Sequence, residues 1–256
     1  MSFEPDRLER FARHIVLPEV GGAGQAALFD KHVMLVGCGG IGSPALQYLA
    51  AAGIGRLTLV DDDVVDISNL QRQTIYTPSD IGKPKAEAAA EWVRRFDLGL
   101  KVEAVVERLG GENAARILPG VNLVLDGCDN FATRLAVSDS CVNLGIPLTS
   151  AAIGRFQGQV ANFAGHLPDQ PCYRCFVGDA FDAQDCDTCA ADGVLGAMVG
   201  MVGTFAAMHA IRALLEGHSA LGNPQYGTLH LIDGMAPAMR AIRVAKDPAC
   251  SACGGG

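Results

Sequence analysis

Short apolar runs alternate with helix-like stretches through the first 150 residues of the chain. The apolar runs lie at 33–36, 57–60, 102–106, 121–125 and 147–151. The stretches between them carry apolar residues at helical spacing and predict helices at about 43–52, 85–96, 112–118 and 131–144. Apolar strands that alternate with helices indicate a mostly parallel sheet covered on both faces, so the pattern predicts an α/β protein.

The two ends of the chain depart from this rhythm. Residues 1–30 predict an N-terminal helical arm, and 165–192 predict an irregular segment rich in Cys and Asp. The remaining predicted elements are an antiparallel strand at 159–164, a helix at about 194–216, and strands near 228–232 and 239–244. Because no linker separates two units, we expect residues 1–256 to form a single domain with an antiparallel C-terminal extension.

Composition and charge narrow the class of protein. Hydrophobic residues make up 49% of the chain and the formal net charge is −8, which is typical of a compact soluble enzyme and disfavours a nucleic-acid partner. The start lacks a basic region followed by an apolar core, so we expect a cytoplasmic protein. The apolar stretch 193–215 is interrupted by Gly, His209 and Arg212, which favours a buried helix over a membrane span.

A glycine-rich loop follows the first predicted strand and precedes the first predicted helix. Its glycines, Gly37, Gly39, Gly40 and Gly42, let backbone amides approach a phosphate at a helix N-terminus. Asp61 ends the second strand, where a carboxylate can reach a ribose hydroxyl. This arrangement predicts a Rossmann-like nucleotide site, although NAD would fit it as well as ATP, and a tight turn alone would also need the glycines.

The segment after Asp61 favours ATP over NAD. Arg72 and Lys85 place two cations near the expected phosphates, which is more than the pyrophosphate of NAD needs. Taken singly, each cation is more often a solvated surface residue. The predicted nucleotide-binding segment consists of Ser68, Asn69, Leu70, Gln71, Arg72 and Gln73.

Asp129 and Asn130 follow the fourth predicted strand, so they should lie at the same edge of the sheet. A carboxylate beside a triphosphate needs a cation between them, which makes Asp129 a candidate Mg²⁺ ligand. Asp129 can also cap the helix that starts near residue 131, either instead of binding the cation or in addition to it.

Six of the nine cysteines fall into three Cys-x-x-Cys pairs, which indicate metal binding or catalysis in a reducing compartment. Two pairs that converge make a tetrahedral Zn²⁺ site, but spacing alone does not select which two. We expect the other three, Cys38, Cys128 and Cys141, to be small core residues. The pairs are Cys172/Cys175, Cys186/Cys189 and Cys250/Cys253.

These motifs resemble the ThiF/MoeB/HesA family, the bacterial relatives of ubiquitin-activating enzymes. They occur in family order and span nearly the whole chain. The matching residues are Arg10-Phe-Ala-Arg13, the 37–42 loop, Asp61-Asp62-Asp63, 68–73, Lys85, Asp129-Asn130, Cys172-Tyr-Arg-Cys175 and Cys250-Ser-Ala-Cys253.

The resemblance implies ATP-dependent adenylation of the C-terminal glycine of a small ubiquitin-like sulfur-carrier protein. It implies a homodimer in which Arg13 reaches the partner's ATP site, and Asp129 as the Mg²⁺-linked acid. It also implies that Asp61 binds ribose and that the phosphates are held by Asn69, Arg72, Gln73 and Lys85.

The identity of the carrier stays open. ThiF-type members serve thiamine synthesis through ThiS, and MoeB-type members serve molybdopterin synthesis through MoaD. Asp61-Asp62-Asp63 and the 129–134 stretch are more similar to ThiF. No rhodanese domain follows Cys253, so sulfur should come from a separate donor such as a cysteine desulfurase or a rhodanese.

The resemblance also assigns the cysteines. It implies a zinc knuckle made by Cys172/Cys175 and the 250–256 tail with Cys250/Cys253, and it implies that Cys189 is a reactive thiol. Cys186 departs from the family pattern and is either a resolving thiol or an extra exposed one. The alternative for Cys189 is a bystander, because four nearby Asp residues should raise its pKa.

Two other classes of function compete with adenylation. One is an NAD-dependent oxidoreductase with a structural zinc, and the other is a non-catalytic scaffold that binds a carrier. The scaffold would leave Arg72, Lys85 and Asp129 without a role. The Gly-Gly-Gly tail at 254–256 resembles the end of a carrier, but a frayed terminus is the simpler interpretation.

Overall fold

The computed structural model describes residues 5–97, 99–178 and 193–254 of the chain. Its centre is an eight-stranded sheet of order β3-β2-β1-β4-β5-β6-β7-β8. The first five strands in chain order pair in parallel, and β6, β7 and β8 add to β5 in antiparallel fashion. The strands are β1 His32–Val36, β2 Arg56–Val60, β3 Lys101–Val105, β4 Leu123–Asp126, β5 Leu148–Gly154, β6 Gln157–Phe163, β7 Thr228–Asp233 and β8 Ala238–Arg243.

Helices cover both faces of this sheet, as the apolar strands require. The predicted helices at 85–96 and 131–144 have the predicted bounds, and the N-terminal arm consists of two helices, α1 and α2. The helices are α1 Pro5–Ile15, α2 Gly21–Phe29, α3 Gly42–Ala51, α4 Lys85–Phe96, α5 Gly111–Ile117, α6 Phe131–Leu144, α7 Tyr173–Val177 and α8 Gly196–Leu214.

One predicted feature needs correction. The segment 165–192 is not irregular throughout, because α7 forms within it, between the two members of the first Cys-x-x-Cys pair and just beyond the second. Residues 179–192, including the second Cys-x-x-Cys pair, lie outside the described residues. Two residues of this short helix, Tyr173 and Phe176, line a cleft at the edge of the sheet.

The core lies on both sides of β1, whose five residues are all buried between β2 and β4. On one side α8 packs against α3, β5 and β6. Within the described ranges, α8 is long and apolar enough to cross a membrane by length and composition, yet 56% of its most apolar window is buried inside the protein. These contacts agree with the prediction of a buried helix.

A pair of histidines, one buried and one half-buried, joins α8 to β7. The rings of His209 and His230 lie 4.7 Å apart, and Phe205 meets both rings edge-on. His209 is only 3% exposed, and its Nδ1 has no hydrogen-bond partner among the described residues. Burial, the neighbouring His230 and Arg212 lower the pKa of His209 from 6.5 to about 4.

We expect His209→Phe to flatten the dependence of stability on pH. Between about pH 6.5 and pH 4 the unfolded chain binds a proton at His209 that the folded chain does not, so stability falls as the pH is lowered. The shift corresponds to about 3 kcal/mol at most. Urea denaturation at pH 7 and pH 4.5 measures the difference, and the exposed His218→Phe is the control. Equal pH dependence in the two variants would contradict a neutral, buried His209.

Candidate active site

A cleft of about 690 Å³ opens at the carboxyl ends of β1, β2 and β4. This is the edge at which open α/β sheets bind ligands. Most residues predicted to bind nucleotide line it. They are Gly37, Gly39, Gly40, Asp61, Asn69, Gln71, Arg72, Gln73, Lys85, Asp129 and Asn130.

The other predicted residues within the described ranges do not line the cleft. Gly42 and Leu70 pack behind the cleft, and Ser68 is exposed and accepts a hydrogen bond from Arg72 Nη1 at 3.0 Å through its carbonyl. Arg13 is exposed in the last turn of α1 and does not line the cleft. Cys189 lies outside the described residues.

The turn from β1 into α3 requires glycine at two positions. Gly37 has φ +86°, and a Cβ there would lie 2.9 Å from the backbone nitrogen of Cys128. A Cβ at Gly42 would lie 1.9 Å from the carbonyl oxygen of Gly37. The glycines therefore allow the loops after β1 and β4 to meet.

The Asp61 carboxylate is oriented by two backbone amides at the end of β2. Oδ2 accepts from the Cys38 N–H at 2.7 Å, and Oδ1 accepts from the Asp63 N–H at 2.8 Å. Burial raises the pKa of Asp61, while these hydrogen bonds and Lys85 act in the opposite direction. The carboxylate is thus held rigidly at one end of the cleft.

The cations sit beside the glycine loop. Lys85 is buried, and its Nζ lies 2.9 Å from Asp63 Oδ2. A Cβ at Gly40 would lie 3.7 Å from Arg72 Cδ, and a Cβ at Gly39 would lie 3.5 Å from Gln73 Nε2. The 68–73 segment therefore contacts the loop that is predicted to hold phosphate.

Gln73 carries an unsatisfied polar atom at this point. The residue is only 3% exposed, and its Oε1 has no hydrogen-bond partner among the described residues. A buried acceptor without a partner is costly, and a bound donor would satisfy it. This is an independent sign that a polar ligand belongs here.

Asp129 and Asn130 have different roles. Asn130 Oδ1 accepts from the Thr133 N–H at 2.9 Å and caps α6, so the capping alternative for Asp129 is wrong. Asp129 is exposed at the cleft wall and free of that structural task. A carboxylate in this position can hold a hard cation such as Mg²⁺ against phosphate oxygens.

Sequence reasoning missed an ionic network at the floor of the cleft. Arg134 is buried, and its Nη1 lies 3.5 Å from Asp126 Oδ2. Cys128 is half-buried rather than a core residue, and its Sγ donates to Asp126 Oδ1 at 2.8 Å. Burial and the Asp126 charge raise the pKa of Cys128. The only sequence signal for Arg134 was its place in the 129–134 stretch. The other two cysteines that we predicted to be core residues, Cys38 and Cys141, are buried.

The sequence also did not predict the residues that form a second wall of the cleft. Arg108 follows β3 and pairs with Asp62 at 3.1 Å, while Tyr173 and Phe176 enter from α7. Gln159 on β6 completes this side. Arg108, Phe176 and Gln159 belong to no predicted motif. Tyr173 lies inside the first Cys-x-x-Cys pair, but that motif did not predict a place in the cleft. The folded chain brings these residues together.

The four predicted zinc ligands converge away from the cleft. Cys172 Sγ lies 3.9 Å from Cys175 Sγ and 3.6 Å from Cys250 Sγ, and Cys175 Sγ lies 3.4 Å from Cys253 Sγ. All four sulfurs lie within 4.8 Å of one another. Tetrahedral Zn²⁺ with bonds of about 2.3 Å places its sulfurs about 3.8 Å apart. The donor set and spacing therefore fit zinc.

Comparison with known proteins places the chain in a family. The ThiF family model matches residues 11–252. The chain is 41% identical to the SAMP-activating enzyme E1 of Haloferax volcanii, over 100% of this chain and 92% of that protein. It is also 41% identical to the sulfur carrier protein adenylyltransferase of Thermus thermophilus, over 99% of this chain and 93% of that one.

Further matches include another protein named as an adenylyltransferase and a solved structure with the same fold. The molybdopterin-synthase adenylyltransferase of Salmonella typhimurium is 36% identical over 96% of each chain. Among solved structures, E. coli MccB with ATP shares the fold, with a TM-score of 0.76 and 20% identity over 90% of this chain and 68% of MccB. The relatives include an archaeal protein, so the resemblance is not confined to bacteria. The chain belongs to the ThiF family.

Proposed function

We propose that this chain is an adenylyltransferase that uses ATP to activate the C-terminal glycine of a ubiquitin-like sulfur-carrier protein. One observation carries the proposal. In a ThiF-family chain, the cleft gathers Arg72, Lys85 and Asp129 around a glycine loop at a helix N-terminus. This combination suits a triphosphate with a bound cation.

Each residue has a task in the proposed reaction. Asp61 binds the ribose, and Asn69, Arg72, Gln73 and Lys85 bind the phosphates. Asp129 would hold Mg²⁺, which neutralises phosphate charge when it is bound. The carrier's terminal carboxylate attacks the α-phosphorus, the bond to the bridging oxygen breaks, and pyrophosphate leaves. Positioning and charge neutralisation suffice for this step, because no residue of the protein has to form a bond to the substrate.

The carrier is a ThiS-type or a MoaD-type protein, for thiamine or molybdopterin synthesis. The relatives are named for sulfur carriers, for SAMP and for molybdopterin synthase, so their names do not select one carrier for this chain. We further propose that a separate cysteine desulfurase or rhodanese supplies the sulfur.

ATP–pyrophosphate exchange tests the proposed function. The purified protein is assayed with a ThiS-type carrier, with a MoaD-type carrier, and with each carrier lacking its last glycine. We expect exchange with one full-length carrier and none with the truncated form. A change of NADH fluorescence without exchange would support the oxidoreductase instead. Carrier binding without exchange would support the scaffold.

We propose a homodimer whose site is completed by Arg13 of the other subunit. The exposed position of Arg13, outside its own cleft, supports this arrangement. We expect Arg13→Ala to lose exchange and to regain it when mixed with Asp129→Ala, because a mixed dimer contains one intact composite site. Mixing is done after mild dissociation, and each variant alone is the control. A mixture as inactive as its components would show that Arg13 does not act in the partner's site.

We propose that Cys189 acts after adenylation, although it lies outside the described residues. We expect Cys189→Ala to retain pyrophosphate exchange, because that step requires only phosphate positioning, and to lose transfer of sulfur to the carrier. Mass spectrometry of the carrier detects the thiocarboxylate, and Cys186→Ala is the matched control. A Cys189→Ala protein that binds ATP but has lost exchange would contradict this division, and full sulfur transfer would make Cys189 a bystander.

A further inference from the structure

One buried cation at the cleft has no task in the proposed reaction. Arg134 lies in the first turn of α6, and its side chain is 7% exposed. It lines the same cleft as Asp129, but it is buried whereas Asp129 is exposed. A buried guanidinium needs partners for most of its five N–H groups, so its contacts reveal what it holds.

Arg134 contacts two backbone carbonyls and two side chains. Its Nη2 donates to the carbonyl of Ala151 on β5 at 2.7 Å and also to the carbonyl of Cys128 in the loop after β4. Its Nη1 lies 3.4 Å from Ser150 Oγ and 3.5 Å from Asp126 Oδ2 at the end of β4. The guanidinium thus ties the loop after β4 to the two strands beside it.

The ion pair inside this network is closed to water. Asp126 is 1% exposed. Although burial alone would lower it, the Asp126 carboxylate raises the pKa of Arg134, so the cation persists. Breaking such a pair from one side leaves an uncompensated buried charge.

The contact with Cys128 fixes the residue that follows it. Because the peptide bond is planar, holding the Cys128 carbonyl also sets the orientation of the Asp129 N–H and Cα. The Cys128 N–H and Sγ are both bound to Asp126 Oδ1, at 3.0 and 2.8 Å. On the other side of Asp129, Asn130 caps α6. Asp129 therefore stands between two anchored residues.

We propose that Arg134 is a positioning residue that aims the Asp129 carboxylate at the nucleotide phosphates by holding the Cys128–Asp129 peptide. The inference rests on the proposed function, in which Asp129 is the acid that works beside the phosphates. Arg134 itself does not touch the reacting atoms.

Arg134→Lys is the variant that tests this role. Lysine keeps the charge opposite Asp126 but lacks the planar fork that reaches two carbonyls at once. We expect the fold to persist, kcat for pyrophosphate exchange to fall about 10- to 100-fold, and KM for ATP to change by less than about threefold. The Mg²⁺ concentration for half-maximal exchange should rise. Arg56→Lys, an exposed ion-pair residue at the far end of β2, is the matched control.

The reactivity of Cys128 gives a readout that does not depend on activity. Its thiol is half-buried and bound to Asp126, so alkylation should be slow in the wild type. We expect Arg134→Lys to accelerate alkylation at Cys128 about tenfold or more as the loop loosens. Cys38 and Cys141, both buried, should stay unreactive and serve as internal controls. Peptide mass spectrometry assigns each rate to its cysteine.

The outcomes separate the two proposals. If the wild-type protein exchanges pyrophosphate with no carrier, the proposed function is wrong. The alkylation rate of Cys128 would still show whether Arg134 holds the loop after β4. Unchanged kcat and Mg²⁺ dependence together with unchanged Cys128 protection would overturn the positioning role. A lower melting temperature with normal kcat and Mg²⁺ dependence would also overturn it in favour of stability alone. If Arg134→Lys does not fold, the double variant Asp126→Asn with Arg134→Gln, which removes both charges, replaces it. The same measurements are made on the double variant, and the same results would overturn the positioning role.

Discussion

Asp129→Ala should lose pyrophosphate exchange by at least about 100-fold while its melting temperature changes little. The carboxylate is exposed at the cleft wall, and helix capping is done by Asn130, so removing Asp129 breaks no described structural contact. Without it, nothing at this position would offset phosphate charge through a bound cation, and charge stabilisation usually contributes most to the acceleration of such a step. Exchange with the active carrier, measured over a range of Mg²⁺ concentrations, gives the loss.

Asp62→Ala is the matched control for this prediction. Asp62 lines the same cleft and is also exposed, but it pairs with Arg108 at the end of β3. We expect its exchange rate to stay within about threefold of the wild type. ATP binding should survive in both variants because the glycine loop, Arg72 and Lys85 are untouched. An Asp129→Ala protein that exchanges pyrophosphate at nearly the wild-type rate would remove Asp129 from the mechanism.

Cys175→Ser should abolish zinc binding and lower the melting temperature by more than about 5 °C. A metal bound only by the folded chain contributes its binding free energy to folding. The cluster joins α7 to residues 250 and 253, which follow β8, so its loss should loosen the C-terminal part of the protein first. Metal analysis and thermal unfolding with and without a chelator measure the effect.

The same variant should also weaken ATP binding, because Tyr173 and Phe176 on α7 line the cleft. Cys141→Ala, which removes a buried thiol outside the cluster, is the control and should retain zinc. Chelator should lower the melting temperature of the wild type and leave that of Cys175→Ser unchanged. Protein that contains no zinc after purification without chelator would show that the cluster has another purpose.

The sequence predicted the layered fold well because its strands and helices differ so clearly in period. The helix at 131–144 is bounded by residues that begin and end helices on local grounds, Asn130 and Gly145. The sequence did not predict the short helix α7, because five residues are too few to show a helical period. Packing of Tyr173 against Phe163 stabilises it in the folded chain.

The site was predictable only where local motifs define it. The glycine loop, Asp61, Arg72 and Lys85 are recognisable along the chain, and the structure brings them to one cleft. The network around Arg134 was not predictable, because two of its partners are the backbone carbonyls of Cys128 and Ala151, and a carbonyl has no sequence signature. Spacing could not choose among the cysteine pairs either. In the folded chain the four sulfurs of Cys172/Cys175 and Cys250/Cys253 lie within 4.8 Å of one another.

The pairing of β6 with β7 has a consequence for how the protein is made on the ribosome. Ala161 pairs with Leu229, so these partners on adjacent strands are 68 positions apart along the chain (229 − 161). The parallel half, β1 to β5, is synthesised first and can collapse around β1, whereas the edge of β6 stays open until β7 emerges. An open strand edge is a template for pairing with other chains. Slowed translation between residues 163 and 228 should therefore favour aggregation of nascent chains, and chaperones that cover strand edges should suppress it.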